Sequence, residues 1–142
     1  METNHAKSGI RPVYQLMHLT FVVVPIVAGL DKFTDLLTQW EQYLHPTIVS
    51  LIPFPAHTFM MIVGVIEIIA GLLVLAKPHL GGLIVAAWLA GIALNLLLAG
   101  HYLDVAVRDL VMCISAYSMA RISIMYSTKE SKATKESYEL SV

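Results

Sequence analysis

Four stretches of the chain are almost unbroken apolar runs, at about residues 13–30, 58–76, 80–99 and 105–126. Each is long enough to cross ~30 Å of hydrocarbon at ~1.5 Å per residue. Lipid offers no partner for a free backbone amide, so the runs are predicted to be helices. The fourth is the least apolar, because Arg108, Asp109 and Arg121 interrupt it. Runs two and three are separated only by Lys77-Pro78-His79, and runs three and four by residues 100–104. Links this short make sequential helices antiparallel neighbours. The expected fold is all-α, a transmembrane four-helix bundle formed by residues 1–126.

The first link, residues 31–57, is longer. Phe33, Leu36, Leu37, Trp40 and Leu44 would share one helical face, with Asp35, Gln39 and Glu41 largely opposite. That pattern predicts an interfacial amphipathic segment between helices one and two. Pro46, Pro53 and Pro55 then interrupt it, and the apolar stretch 48–54 is too short to span. Beyond Tyr126 the sequence turns to Ser, Lys and Glu, so residues 127–142 are expected to be a disordered charged tail.

Composition narrows the function classes. The 142 residues are 57% hydrophobic and only 13% charged, against about 25% charged in soluble domains. So few charges could not cover a water-exposed surface, which excludes an ordinary soluble enzyme and a disordered chain. A net charge of −1 without a basic patch excludes a nucleic-acid binder. The single cysteine, Cys113, excludes an intramolecular disulfide, a dithiol centre and a cysteine-rich zinc site. No haem-ligand pair, nucleotide motif or iron–sulfur motif is present, and no metal site is expected. Seven basic residues (Lys7, Arg11, Lys77, Arg121, Lys129, Lys132 and Lys135) fall on the side of the chain ends, against Lys32 and Arg108 on the other. Both termini are therefore expected to be cytoplasmic. The first run is read as a span rather than a cleaved signal peptide, because it is long and no Ala-x-Ala follows it.

A charge at membrane depth costs about 2.5–3.5 kcal/mol on insertion scales, so each one asks for a reason. Glu67 is central in the second run, with Gly64 and Gly71 on the same face. Small neighbours admit a second helix, so Glu67 is expected to point into the bundle. It is either a proton carrier or polar-ligand contact, or a structural acid, neutral or paired with Arg108. Asp104 and Arg108 are spaced as an i, i+4 pair, and Arg108 suits an anion or a quinone oxygen. The alternatives are an ion pair that locks the bundle and an arginine that snorkels outward. Ala87, Gly91, Asn95 and Ala99 form a small-residue stripe read as a packing face, with Asn95 bonding a neighbouring helix. His18 is read as a hydrogen-bonded packing residue. Asp31, Lys32, Asn95, His101, Tyr102, Asp104, Arg108 and Asp109 all fall in the half of the bundle away from the termini. There they are candidates for a small-ligand pocket covered by Trp40 and Tyr43.

Val27-Ala28-Gly29-Leu30-Asp31-Lys32-Phe33 resembles the end of the first span in the DoxX family of four-helix bacterial membrane proteins. The stretch from Gly64 to Leu75, with Glu67 between Gly64 and Gly71, is similar to that family's second-span pattern. A proline-containing link separates the two, as in the family, and the resemblance covers most of the chain. Gly29, Lys32, Glu67 and Gly71 match the pattern, whereas the Arg108-Asp109 pair and the charged tail depart from it. The resemblance implies a multi-pass protein of the bacterial inner membrane. The family takes its name from a subunit of a thiosulfate:quinone oxidoreductase, which makes a quinone the implied cofactor. A quinone-linked oxidoreductase subunit, possessing Glu67 and Arg108 as catalytic candidates, would work with other redox or membrane subunits or as a homo-oligomer. The alternative is a non-enzymatic accessory or structural subunit of a larger membrane complex. A solute carrier is the weakest reading, because there is no inverted repeat.

Overall fold

The computed structural model describes residues 2–139, with side chains described for residues 10–127. Helix α1 spans Glu2–Asp31, α2 Pro46–Leu51, α3 Ala56–Ala76, α4 Pro78–Ala99 and α5 Leu103–Glu139. A single 3-10 turn, Trp40–Tyr43, lies between α1 and α2. Four helices contain segments long and apolar enough to span a bilayer: Ile10–Asp31, Ala56–Ala76, Pro78–Ala99 and Leu103–Ser127. The protein is a multi-pass membrane protein built as an all-α four-helix bundle. The end of the bundle nearest Ile10 and Ser127 is called the terminal end below, and the opposite end the link end.

The helices are held by close backbone approach rather than by large side chains. Lipid tails are as apolar as leucine, so association in a bilayer rests on packing and on interhelical polar contacts. A Cβ added to Gly29 would lie 2.5 Å from the carbonyl oxygen of Gly64, and one added to Gly64 would lie 2.5 Å from that of Gly29. Glycine at both positions lets α1 and α3 touch backbone to backbone. The core below this crossing joins Phe21 and Val22 of α1, Ala70 and Val74 of α3, Val85 and Ala86 of α4, and Ala116 and Met119 of α5. His18 adds a polar contact, its Nε2 lying 2.9 Å from the carbonyl oxygen of Val74, in keeping with the packing role expected of it.

Three local features differ from the sequence expectation. The link is not one amphipathic helix. Residues 32–39 are turns and extended backbone, followed by the 3-10 turn and the short α2. The physical reason is Asp31, whose carboxylate accepts the backbone N–H groups of Leu36 and Leu37 and so satisfies them outside a helix. Several apolar residues of the link face outward: Phe33, Leu36, Leu37, Val49, Leu51 and Phe54 are exposed. Second, α5 continues as helix to Glu139, through most of the segment expected to be disordered; residues 140–142 lie outside the described residues. Third, Gly91 is exposed, with nothing within 4 Å of an added Cβ. The buried face of α4 is instead Gly81, Gly82, Val85, Ala86, Ala93 and Leu96. Small residues occur on both sides of α4, so their spacing alone does not select the packed face.

Candidate functional site

The first part of the site is an ion pair buried in the bundle. Lys32 Nζ donates to Glu67 Oε2 at 2.6 Å. Lys32 is 3% exposed and Glu67 7%. Lys32 is the first residue after α1, on the link side of the Gly29–Gly64 crossing. Its long side chain reaches the middle of α3. Glu67 is held from the other side by the indole N–H of Trp88 on α4, 3.4 Å from Oε1. The ammonium also lies 3.7 Å from the centroid of the Trp40 ring. Such a contact is worth about 2 kcal/mol when desolvated. Trp40 is itself fixed, because its indole N–H donates to Asp31 Oδ2 at 2.8 Å. Adjacent residues of the α1 end thus divide the work: Asp31 folds the link back over the bundle, and Lys32 receives the folded-back indole.

Asp109 of α5 is buried too, at 8% exposure, and is within Coulombic range of Arg108, Glu67 and Lys32. The site therefore gathers Asp31 and Lys32 from the end of α1, Glu67 from α3 and Asp109 from α5. Glu67 points inward, as its glycine neighbours predicted, but its partner is Lys32 and not Arg108. Arg108 and Asp104 are exposed. The ion pair expected between them does not form among the described residues: Arg108 points away from the core, and the intramembrane charge is neutralised across helices by Lys32 instead. Trp88 was missed. Its signal was a lone indole in mid-span, since a buried tryptophan N–H usually finds an acceptor.

The second part is a cavity of about 410 Å³ at the link end. The 3-10 turn and the α4–α5 turn form its walls, with Gln42, Tyr43, His101 and Tyr102 as its polar or aromatic groups and Leu96 and Ala99 among its apolar ones. Gly100 ends α4 in the left-handed conformation (φ 68°) and bonds back to Leu96 and Leu97, which turns His101 and Tyr102 towards the link. Tyr43 and Tyr102 meet edge to face at 4.8 Å, and Tyr102 Oη donates to Gln42 Oε1 at 3.0 Å. Asn95 Nδ2 donates to the Tyr43 carbonyl at 3.0 Å. The Asn95 bond expected between helices thus goes to the link, and its Oδ1 is buried without a partner among the described residues. Tyr43 also lies 6.2 Å from the Trp40 ring, so the cavity wall and the ion pair share the same strip of link. Among the described residues, no group of three or more His, Cys, Asp and Glu side chains could hold a metal ion.

Comparison with protein-family models, with curated proteins and with solved structures finds no match for the chain.

Proposed function

We propose that the chain is a DoxX-like membrane subunit of a quinone-linked oxidoreductase and that the link-end cavity takes the quinone headgroup. The observation that carries this reading is the cavity itself. Its volume, about 410 Å³, falls within the usual range for small-ligand sites. It lies at the end of the apolar spans, where a lipid-soluble ring can enter from the bilayer edge. Its lining combines two aromatic rings with a group that can donate a hydrogen bond to a ring carbonyl, the His101 imidazole; the Tyr102 hydroxyl proton is already given to Gln42 Oε1. A quinone supplies two-electron, two-proton chemistry when bound. The Lys32–Glu67 pair, with Trp40, acts as a positioning element that holds Tyr43 against the cavity. Electrons would come from a small reductant, such as a sulfur oxyanion, through a partner subunit. The distribution of lysine and arginine supports cytoplasmic termini in a bacterial inner membrane.

A second reading, a non-enzymatic accessory subunit, is favoured by the internal closure of the charges. Lys32 and Glu67 contact each other and two indoles, so they serve assembly without any ligand. Purification from native membranes in mild detergent separates the two. The oxidoreductase reading predicts about one extractable quinone per chain and a co-purifying redox partner. His101→Phe with Tyr102→Phe should lower the quinone content at least tenfold while the protein still accumulates. A large complex whose quinone content does not respond to these substitutions would favour the accessory role.

A further inference from the structure

We propose that a second cavity, at the terminal end of the bundle, binds the phosphate group of an anionic phospholipid. This cavity has a volume of about 710 Å³ and lies among α1, α5 and the α3–α4 turn. Arg11, Lys77 and His79 all line it, and among the described residues no carboxylate does. The three come from two separated parts of the chain. In a protein with only nine lysines and arginines, two of them meet at one opening with no counter-charge among the described residues of its lining, an arrangement suited to an anion supplied from outside.

The local backbone adds to the positive character. Helix α4 starts at this cavity with Pro78 in its first turn and no side-chain cap. Its first internal bond from a residue beyond the turn is Gly81 N–H to Lys77 O, at 2.8 Å. The N–H groups of His79 and Leu80 precede it and have no carbonyl one turn back within the helix. His79 is oriented by its Nδ1, which donates to the Ala120 carbonyl oxygen at 3.0 Å. This contact fixes the ring between α4 and α5. Tyr14 and Tyr126 stack at 5.0 Å between ring centroids and form an aromatic wall.

Depth selects a lipid over a free ion. The lining residues lie at the boundaries of the apolar spans, near Ile10, at Ala76 and Pro78, and near Ser127. Phospholipid phosphates occupy that level. Apolar Ala76, Leu80 and Ile124 border the basic groups, as suits a glycerol backbone and the start of an acyl chain. Basic pockets between spanning helices are a recognised way to hold acidic headgroups. This inference is independent of the quinone reading, since it uses the other end of the molecule.

The test is native mass spectrometry and thermal melting of the full-length protein in an uncharged detergent. The titrants are phosphatidylglycerol, phosphatidylcholine and inorganic phosphate. Phosphatidylglycerol should bind one to one and raise the melting temperature, and phosphatidylcholine should do neither. Arg11→Gln with Lys77→Gln should weaken phosphatidylglycerol binding about 25-fold, at about fivefold for each basic residue. Both side chains are exposed and neither forms an ion pair among the described residues, so lipid-free melting should stay unchanged. Arg108→Gln, at the opposite end, should leave binding intact. Equal binding of phosphatidylcholine, unchanged affinity in the double variant, or an equal loss in the Arg108 variant overturns the proposal. Inorganic phosphate that reproduces the melting shift and displaces the lipid also overturns it, in favour of a soluble anion.

Discussion

Removing one partner of the Lys32–Glu67 pair should be far more damaging than removing both. The pair is almost fully buried, at 3% and 7% exposure, with a 2.6 Å contact. Breaking a buried pair from one side typically costs about 3–5 kcal/mol, while replacing both members by apolar residues is often neutral. Lys32→Met should therefore cost about 3–4 kcal/mol, and Glu67→Leu about 4–5 kcal/mol because it also strands the Trp88 N–H. Lys32→Met with Glu67→Leu together should cost about 2 kcal/mol or less. Denaturant titration in detergent micelles can be followed by tryptophan emission. The chain has two tryptophans, and both touch the pair. Additive losses, with the double variant at about 7–9 kcal/mol, would refute the reasoning.

Other outcomes follow from single contacts. Gly64→Val should separate α1 from α3 and abolish accumulation in membranes, because its Cβ would meet the Gly29 carbonyl at 2.5 Å; Gly91→Leu, with open space around it, should accumulate and melt as the parent does. Asp31→Asn weakens the carboxylate that holds Trp40, Leu36 and Leu37. Hydrogen exchange of residues 33–44 should then rise at least tenfold while the spanning helices keep their protection. Arg108→Gln should change stability by less than about 0.5 kcal/mol in a thermal melt, as expected of an exposed side chain with no ion pair among the described residues. A loss above about 2 kcal/mol would show that Arg108 has a partner in the bundle.

The spans were legible in the sequence because hydropathy over some twenty residues is a one-dimensional signal. The inward direction of Glu67 was legible too, since Gly64 and Gly71 mark its face as one that admits a helix. Its partner was not. Lys32 and Glu67 are 35 residues apart, and helical periodicity within one span says nothing about which residue of another span reaches it. Arg108 looked equally suitable on charge alone. The choice was made by the length of the lysine side chain and by its place just beyond the Gly29–Gly64 crossing. Periodicity misled in the link for a related reason. Residues 33–44 have a helix-like pattern, but Asp31 takes the N–H groups that a helix would need. Trp40 then turns inward to the ammonium, while Leu36 and Leu37 stay outside. On α4, Gly91 and Gly81 are equally small, and only the position of α3 distinguishes them.

The most direct test of the proposed function is photolabelling with an azido-quinone in native membranes, followed by mapping of the labelled residues. The account predicts saturable labelling concentrated at Tyr43, Leu96, Ala99, His101 and Tyr102, the lining of the link-end cavity, with competition by unlabelled quinone. Labelling spread evenly over the lipid-facing residues of all four spans, or unaffected by competitor, would contradict it.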